Sequence, residues 1–415
     1  MQLCYIFFFI IIWLLNYSYK KQLFEYSLDV IVNIIETRTE VSIWIWTLIA
    51  DLGSGKLYGY LFIAILSWYG PVKGYNYRLV LTICALTMTT QKLIQHDPRP
   101  FMVDDRIEVM SCFHDYGNPS GHSVLAATFS TYLFLMHFHT ERKQMISFRD
   151  KVKDWKYILG ILGIIGYTFI QSFNRLFLGV HAIDQILFGC QLGFWVVFYY
   201  HYNIRVNVLV HLKKLIKQNP FENYQINYLQ YALRGLLLFT IGFGIQFAAF
   251  LFAYYTFETP KDWIIRLAGK CSAPPLYNTF EFVNLYYSGA TASGFGGYLG
   301  LLFRARYFPN SCNIFKNWKY FLVRAVMIFV IQMPFDYIEK AVPWDVPQYW
   351  MMIVFKALLP NFISSFLVFS LPDQIIFKVN KYFGWEQREP QDLDDSVSFL
   401  VQNMLTKEQK QDRDY

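Results

Sequence analysis

Three short segments carry the chemistry this sequence can do: Lys92-x6-Arg99-Pro100, Pro119-Ser120-Gly121-His122 and Arg175-x5-His181. Together they supply three cations, two histidines and a Ser-Gly turn directly ahead of an apolar stretch. Such a set binds a phosphate and passes its phosphoryl group through an imidazole. Lys92, Arg99 and Arg175 would neutralise the dianion with charge-assisted hydrogen bonds. Ser120 and Gly121 would open a helix, whose free N–H groups and dipole attract anions, and Gly121 lets the backbone come close to a phosphate oxygen. His181 is followed at i+3 and i+4 by Asp184 and Gln185. On a helix either shares its face and can accept from Nδ1–H, leaving Nε2 free to attack phosphorus. His122 would protonate the leaving oxygen and then activate water. With three cations in place the set requires no metal and no cofactor. Taken singly, each piece has a plainer reading: Lys92 can snorkel to an interface, Pro119-Ser120-Gly121 can be an ordinary helix start, and a lone histidine is usually structural. Their combination is what points to chemistry.

The elements that must position these residues are membrane helices. The chain has 415 residues, 55% of them hydrophobic and only 16% charged, against about 25% charged in a soluble domain. This composition excludes a string of soluble domains and implies an all-α, polytopic helical bundle. Apolar runs predict about nine spans, near 54–70, 78–96, 121–139, 157–173, 180–201, 229–256, 286–303, 320–335 and 350–371. They divide the chain into an N-terminal apolar or interfacial segment (1–42), a membrane domain (43–372) and a polar cytosolic tail (373–415). Residues 3–15 are apolar but short, and read equally as a further span, a signal or an interfacial helix. The run Ser288–Gly297 is dense in small residues, which suits close helix packing.

The +7 net charge does not imply nucleic acid, since no zinc-finger spacing, basic helix or RNA-binding signature accompanies it. The basic residues instead sit in loops. Sixteen Lys and Arg fall in the odd-numbered loops and seven in the even ones, which places the odd loops and the tail in the cytosol. All three segments then emerge on the opposite, lumenal or exoplasmic, face. The six cysteines form no CxxC pair, so a metal site is not expected.

The three segments resemble the type-2 phosphatidic acid phosphatase (PAP2) superfamily, whose pattern is KxxxxxxRP, PSGH and SRxxxxxHxxxD. The first two match in full at 92–100 and 119–122. The third matches at Arg175 and His181, but Asn174 replaces the serine and Gln185 stands at the aspartate position, with Asp184 one place early. The resemblance implies a PAP2-type core at about 80–202 and a metal-independent phosphoric monoester hydrolase working through a phosphohistidine on His181. Within the superfamily the chain is most similar to the glucose-6-phosphatase catalytic subunit family, which has nine spans, a lumenal site, a cytosolic C-terminus and glutamine at the last motif position.

That resemblance leaves the substrate open between a sugar phosphate such as glucose 6-phosphate, which would need a partner phosphate-ester transporter, and a lipid phosphate. It implies residence in the endoplasmic reticulum or another endomembrane, with the plasma membrane as alternative. The competing reading is a catalytically degraded relative that binds phosphate or acts as a scaffold, supported by the two departures in the third segment. Cys112 and Cys271 both fall on the non-cytosolic side, where an oxidising compartment favours a disulfide holding the loop before Ser120 over the site.

Overall fold

The computed structural model describes residues 2–139, 148–216, 226–271, 280–308, 318–341 and 349–383; most of the polar tail, 384–415, lies outside them. No strand occurs among the described residues. The helices that matter for the site are α1 (Gln2–Glu36), α2 (Glu40–Leu52), α3 (Gly55–Tyr69), α4 (Pro71–Gln95), α5 (Pro100–Val103), α6 (Gly121–Phe138), α7 (Trp155–Phe177) and α8 (Ile183–Tyr199). Beyond them lie α9 (Arg205–Ile216), α10 (Tyr228–Thr256), α11 (Lys261–Lys270), α12 (Phe280–Tyr286), α13 (Gly289–Tyr307), α14 (Trp318–Ala341), α15 (Leu359–Ser370) and α16 (Pro372–Phe383).

The outside of the bundle is apolar and the inside carries polar residues, as a bilayer demands. Leu162, Phe169, Leu238 and Val326 are exposed, whereas Asn76, Thr89, Gln246 and Ser293 are buried. Gln246 donates to Thr89 Oγ1 (2.7 Å) and accepts from Thr291 Oγ1 (3.0 Å), tying α10 to α4 and α13 by side-chain hydrogen bonds. Among the described residues, five helices are long and apolar enough to cross a membrane: Leu3–Glu36, Trp155–Phe177, Tyr228–Thr256, Trp318–Ile338 and Trp350–Val379. The pair α2–α3, bent by 41°, makes a sixth if counted as one broken span. The expected count of nine is therefore not reproduced by length and hydropathy: α4 and α6 carry many polar and small residues, and α8, at 17 residues, falls short in length.

The N-terminal segment is one of these span-length helices, not a short interfacial piece. Helix α1 runs antiparallel along α8: Trp195 Nε1 donates to Tyr5 O (2.9 Å), Tyr19 Oη to Gln191 Oε1 (3.0 Å), and the Ile183 N–H to Ser27 Oγ (2.9 Å). At the other terminus, residues expected to begin the polar tail fold as α16 and bury Asp373 against Arg304 (2.5 Å) and Arg324. The packed domain thus extends to 383 rather than ending at 372. The Ser288–Gly297 run lies in α13 and packs on α15, where a Cβ on Gly296 would strike the Phe362 carbonyl.

Small residues also set the approach of α6 to α8. A Cβ on Gly189 would lie 2.8 Å from Ser120 O, and one on Gly193 would lie 2.6 Å from Val124 O. These contacts clamp the start of α6 to the middle of α8. Overpacking of this kind costs about 1–3 kcal/mol. Gly193→Ala is expected to lower the thermal unfolding temperature of the detergent-solubilised protein measurably; an unchanged value would show that α6 and α8 are not held at this distance.

Candidate active site

The site forms where four element ends meet. Helix α4 ends at His96, which takes the left-handed conformation (φ 36°) and returns its N–H to Lys92 O (3.0 Å). Pro98 and Pro100 then forbid a helical continuation through Arg99, so Arg99 turns back beside the last turn of α4. Helix α7 ends at Gly179 (φ 73°), where an added Cβ would crowd Ile107 and the Glu108 carbonyl. That turn folds Val180 N and His181 N onto the Arg175 carbonyl (3.1 and 3.4 Å) and so places Arg175 beside His181. The Ser120 N–H donates to Gln185 O (2.9 Å), which joins the start of α6 to the start of α8.

Arg99 is the hub. Its Nη1 donates to His181 Nε2 (3.0 Å) and to Val180 O (3.0 Å), its Nε to Asp115 O (3.1 Å) and its Nη2 to Asp115 Oδ1 (2.5 Å). Lys92 Nζ donates to Asp115 Oδ2 (2.5 Å) and Tyr116 O (2.7 Å). The Phe113 ring covers the Arg99 guanidinium at 4.7 Å and meets His122 edge-on. Lys92, Arg99, Asp115, Ser120, Arg175 and His181 are all 3% exposed or less. Asp115 lies in the loop before α6. Burial pushes its carboxyl up, but Arg99 and Lys92 outweigh this and hold it at about 2. Because that value is depressed from 3.8, its stabilising contribution is full above roughly pH 4 and is lost as pH falls through about 2.

Gln185 fixes the tautomer of His181. Its Nε2 donates to Pro98 O (2.7 Å), while its Oε1 faces His181 Nδ1 (3.1 Å) and the Ala182 N–H (3.3 Å). A carbonyl only accepts, so the amide nitrogen must face Pro98, and the amide oxygen must then accept from Nδ1–H. Nε2 is left with its lone pair, which here accepts from Arg99. Gln185, not Asp184, therefore supports His181. Asp184 is buried on the same helix without a hydrogen bond to His181, and its Oδ1 has no partner among the described residues. The geometry also explains why an amide replaces a carboxylate: an acid here would set oxygen against the Pro98 carbonyl.

The second departure is explained in the same way. Asn174 Oδ1 accepts from Arg175 Nη2, and Asn174 Nδ2 donates to Trp46 O, so the residue aims the arginine and anchors it to α2. Arg175 Nε is buried without a hydrogen-bond partner among the described residues, as a donor reserved for a ligand would be. Ser172 donates to Ser123 (3.3 Å) and Ser123 to Ser120 (3.1 Å), which leaves the Ser120 hydroxyl hydrogen to point onward. His122, in the first turn of α6, lies in the field of all three cations. The structure thus brings together Lys92, Arg99, Ser120, Gly121, His122, Arg175, His181 and Gln185. It adds Asp115, which no spacing rule singled out because it lies in an irregular loop, and gives Asn174, seen in the sequence only as a departure from the pattern, a role that it exerts through its neighbour. A disulfide joins Cys112 to Cys271 and straps the loop bearing Asp115 to the end of α11.

Known proteins are similar to part of this chain. The PAP2 superfamily model matches residues 74–208. Over 75 residues the chain is 33% identical to dolichyldiphosphatase 1 of Homo sapiens and, at the same identity, to that of Callithrix jacchus; each match covers 18% of this chain and 30% of the relative. The chain thus spans less than a third of the length of these curated relatives. A transmembrane PAP2-type phosphatidylglycerolphosphate phosphatase from Bacillus subtilis is similar in structure at 20% identity, covering 52% of this chain and 98% of that one, with a TM-score of 0.36.

Replacing Gln185 by Glu is expected to lower activity, because two acceptors then face each other at Pro98. An unsatisfied pair of this kind costs about 1–3 kcal/mol, or roughly ten- to hundredfold in kcat/KM. Steady-state kinetics of Gln185→Glu beside wild type check this; equal rates would mean that Gln185 does not set the tautomer.

Proposed function

We propose that this chain, a multi-pass membrane protein whose residues 74–208 belong to the PAP2 superfamily, hydrolyses phosphomonoesters through a phosphohistidine on His181. One observation carries the reading: Gln185 holds Nδ1–H while Nε2 keeps its lone pair within 3.0 Å of Arg99, a cation able to seat the phosphate. The substrate phosphate enters between Lys92, Arg99 and Arg175, and takes further hydrogen bonds from Ser120 and the N–H groups at the start of α6. Arg99 Nη1 turns from Nε2 to a phosphate oxygen, and Nε2 attacks phosphorus. The P–O bond to the leaving group breaks as His122 gives it a proton. His122 then takes a proton from water, which attacks phosphorus, breaks the P–N bond and releases inorganic phosphate. The three cations supply the charge neutralisation, so turnover proceeds without added metal.

The intact set of cations and histidines, with Asn174 and Gln185 both satisfied, favours an enzyme over a degraded phosphate-binding relative. The shared chemistry is a terminal phosphate group, and two sources fit. The dolichyldiphosphatase likeness favours a phosphorylated lipid and, by that relative's name, a diphosphate, whereas glutamine at 185 leans to a sugar phosphate delivered by a transporter. The charge bias of the loops supports a site facing the lumen of the endoplasmic reticulum or another endomembrane compartment, with the C-terminus cytosolic.

Phosphate release by the purified protein in detergent, without added metal, across sugar, lipid and isoprenoid phosphates is expected to show turnover of at least one class and inhibition by vanadate. His181→Ala should reduce kcat by at least about 10³-fold. Full activity in that variant would rule out His181 as nucleophile.

A further inference from the structure

Three cations are buried together at this site, and one carboxylate is hydrogen-bonded to two of them. Asp115 bridges Lys92 Nζ and Arg99 Nη2 at 2.5 Å each. Its backbone is held by the same groups: Arg99 Nε donates to Asp115 O (3.1 Å) and Lys92 Nζ to Tyr116 O (2.7 Å). The loop is fixed on both sides, by the Cys112–Cys271 disulfide and by the Gly117 N–H on Asp97 O (2.8 Å). A carboxylate tied at side chain, backbone and both flanks is a brace rather than a mobile stand-in for the ligand. The nearby acids do not share its place. Asp97 is paired with Lys20 (3.2 Å) and accepts from Asn118, while Asp51, which acts on Arg175, is exposed.

We propose that Asp115 is the positioning residue that aims Lys92 and Arg99 and sets the charge of the empty cradle at +2, matching the site to a phosphomonoester dianion over more highly charged anions. The formal charges are those of Lys92, Arg99 and Arg175 against one carboxylate. A phosphomonoester carries close to two negative charges at neutral pH, so the occupied cradle is neutral. A diphosphate ester, with one more ionised oxygen, leaves it in excess negative charge. Removing the Asp115 charge raises the cradle to +3 and favours the more charged ligand. At about 5 Å and an effective dielectric near 20, one unit charge changes the affinity for each added anion charge by more than tenfold.

This inference rests on the phosphate-binding part of the proposed function but not on turnover. Purified wild type, Asp115→Asn and Asp115→Glu are titrated calorimetrically with inorganic phosphate and with pyrophosphate at pH 8. The ratio of the two affinities should shift toward pyrophosphate by at least about tenfold in Asp115→Asn and stay at the wild-type value in Asp115→Glu, which keeps the charge. A residue that merely holds the loop would weaken both anions alike and leave the ratio unchanged, and that result overturns the proposal. Should Asp115→Asn fail to fold, the double variant Asp115→Asn/Lys92→Gln restores +2 and should return the wild-type ratio; a shifted ratio there overturns it equally. Wild type that binds both anions yet hydrolyses no ester refutes the catalytic reading while leaving this test decisive.

Discussion

The pairing of Asp115 with Lys92 and Arg99 is the interaction on which the site depends. Three cations buried at the end of a membrane bundle repel one another and lose their hydration, a cost of several kcal/mol per ion when uncompensated. The bridging carboxylate offsets it and gives the two side chains fixed directions. Arg99 carries that order onward, since the guanidinium that grips Asp115 also donates to His181. The direction of the His181 ring, the placing of the cations and the conformation of the loop before α6 are thus one connected arrangement rather than three.

Around this centre the structure uses groups that can satisfy their neighbours in one way only. The Pro98 carbonyl can only accept, so the Gln185 amide has one orientation, and His181 then has one tautomer. Asn174 works by the same logic between Arg175 and the Trp46 carbonyl. Both residues depart from the superfamily's pattern, and both departures are explained by the backbone oxygens they meet. In a site this buried, hydrogen-bond directionality does the positioning that packing does elsewhere.

The helices serve this arrangement by giving up lipid-facing character. Helices α4, α6 and α8 carry small and polar residues where a simple span would carry leucine. Glycines at 189 and 193 bring α8 against the backbone of α6, close enough for the Ser120 N–H to reach Gln185 O. Helix α1 shields α8 along its length, and Arg38, in the link between α1 and α2, reaches the Glu108 and Phe177 carbonyls, which steadies the two loops that frame the site.

What the sequence determined by itself was the set of candidate chemical groups. Residue type and spacing within each segment single out three cations and two histidines as candidates, because those requirements are local. The membrane setting was equally legible, since a bilayer imposes its composition on every span. Other features waited for the tertiary structure. Span counting from hydropathy left the N-terminal segment open between a span, a signal and an interfacial helix, and the structure shows a helix of span length there. The choice of Gln185 over Asp184 required the Pro98 carbonyl, 87 residues away in sequence. The roles of Asp115 and Asn174 required knowing which groups they meet across the fold. A sequence shows which side chains are able to donate or accept, whereas the partner that fixes each one comes from a distant part of the chain and is decided only when the helices pack.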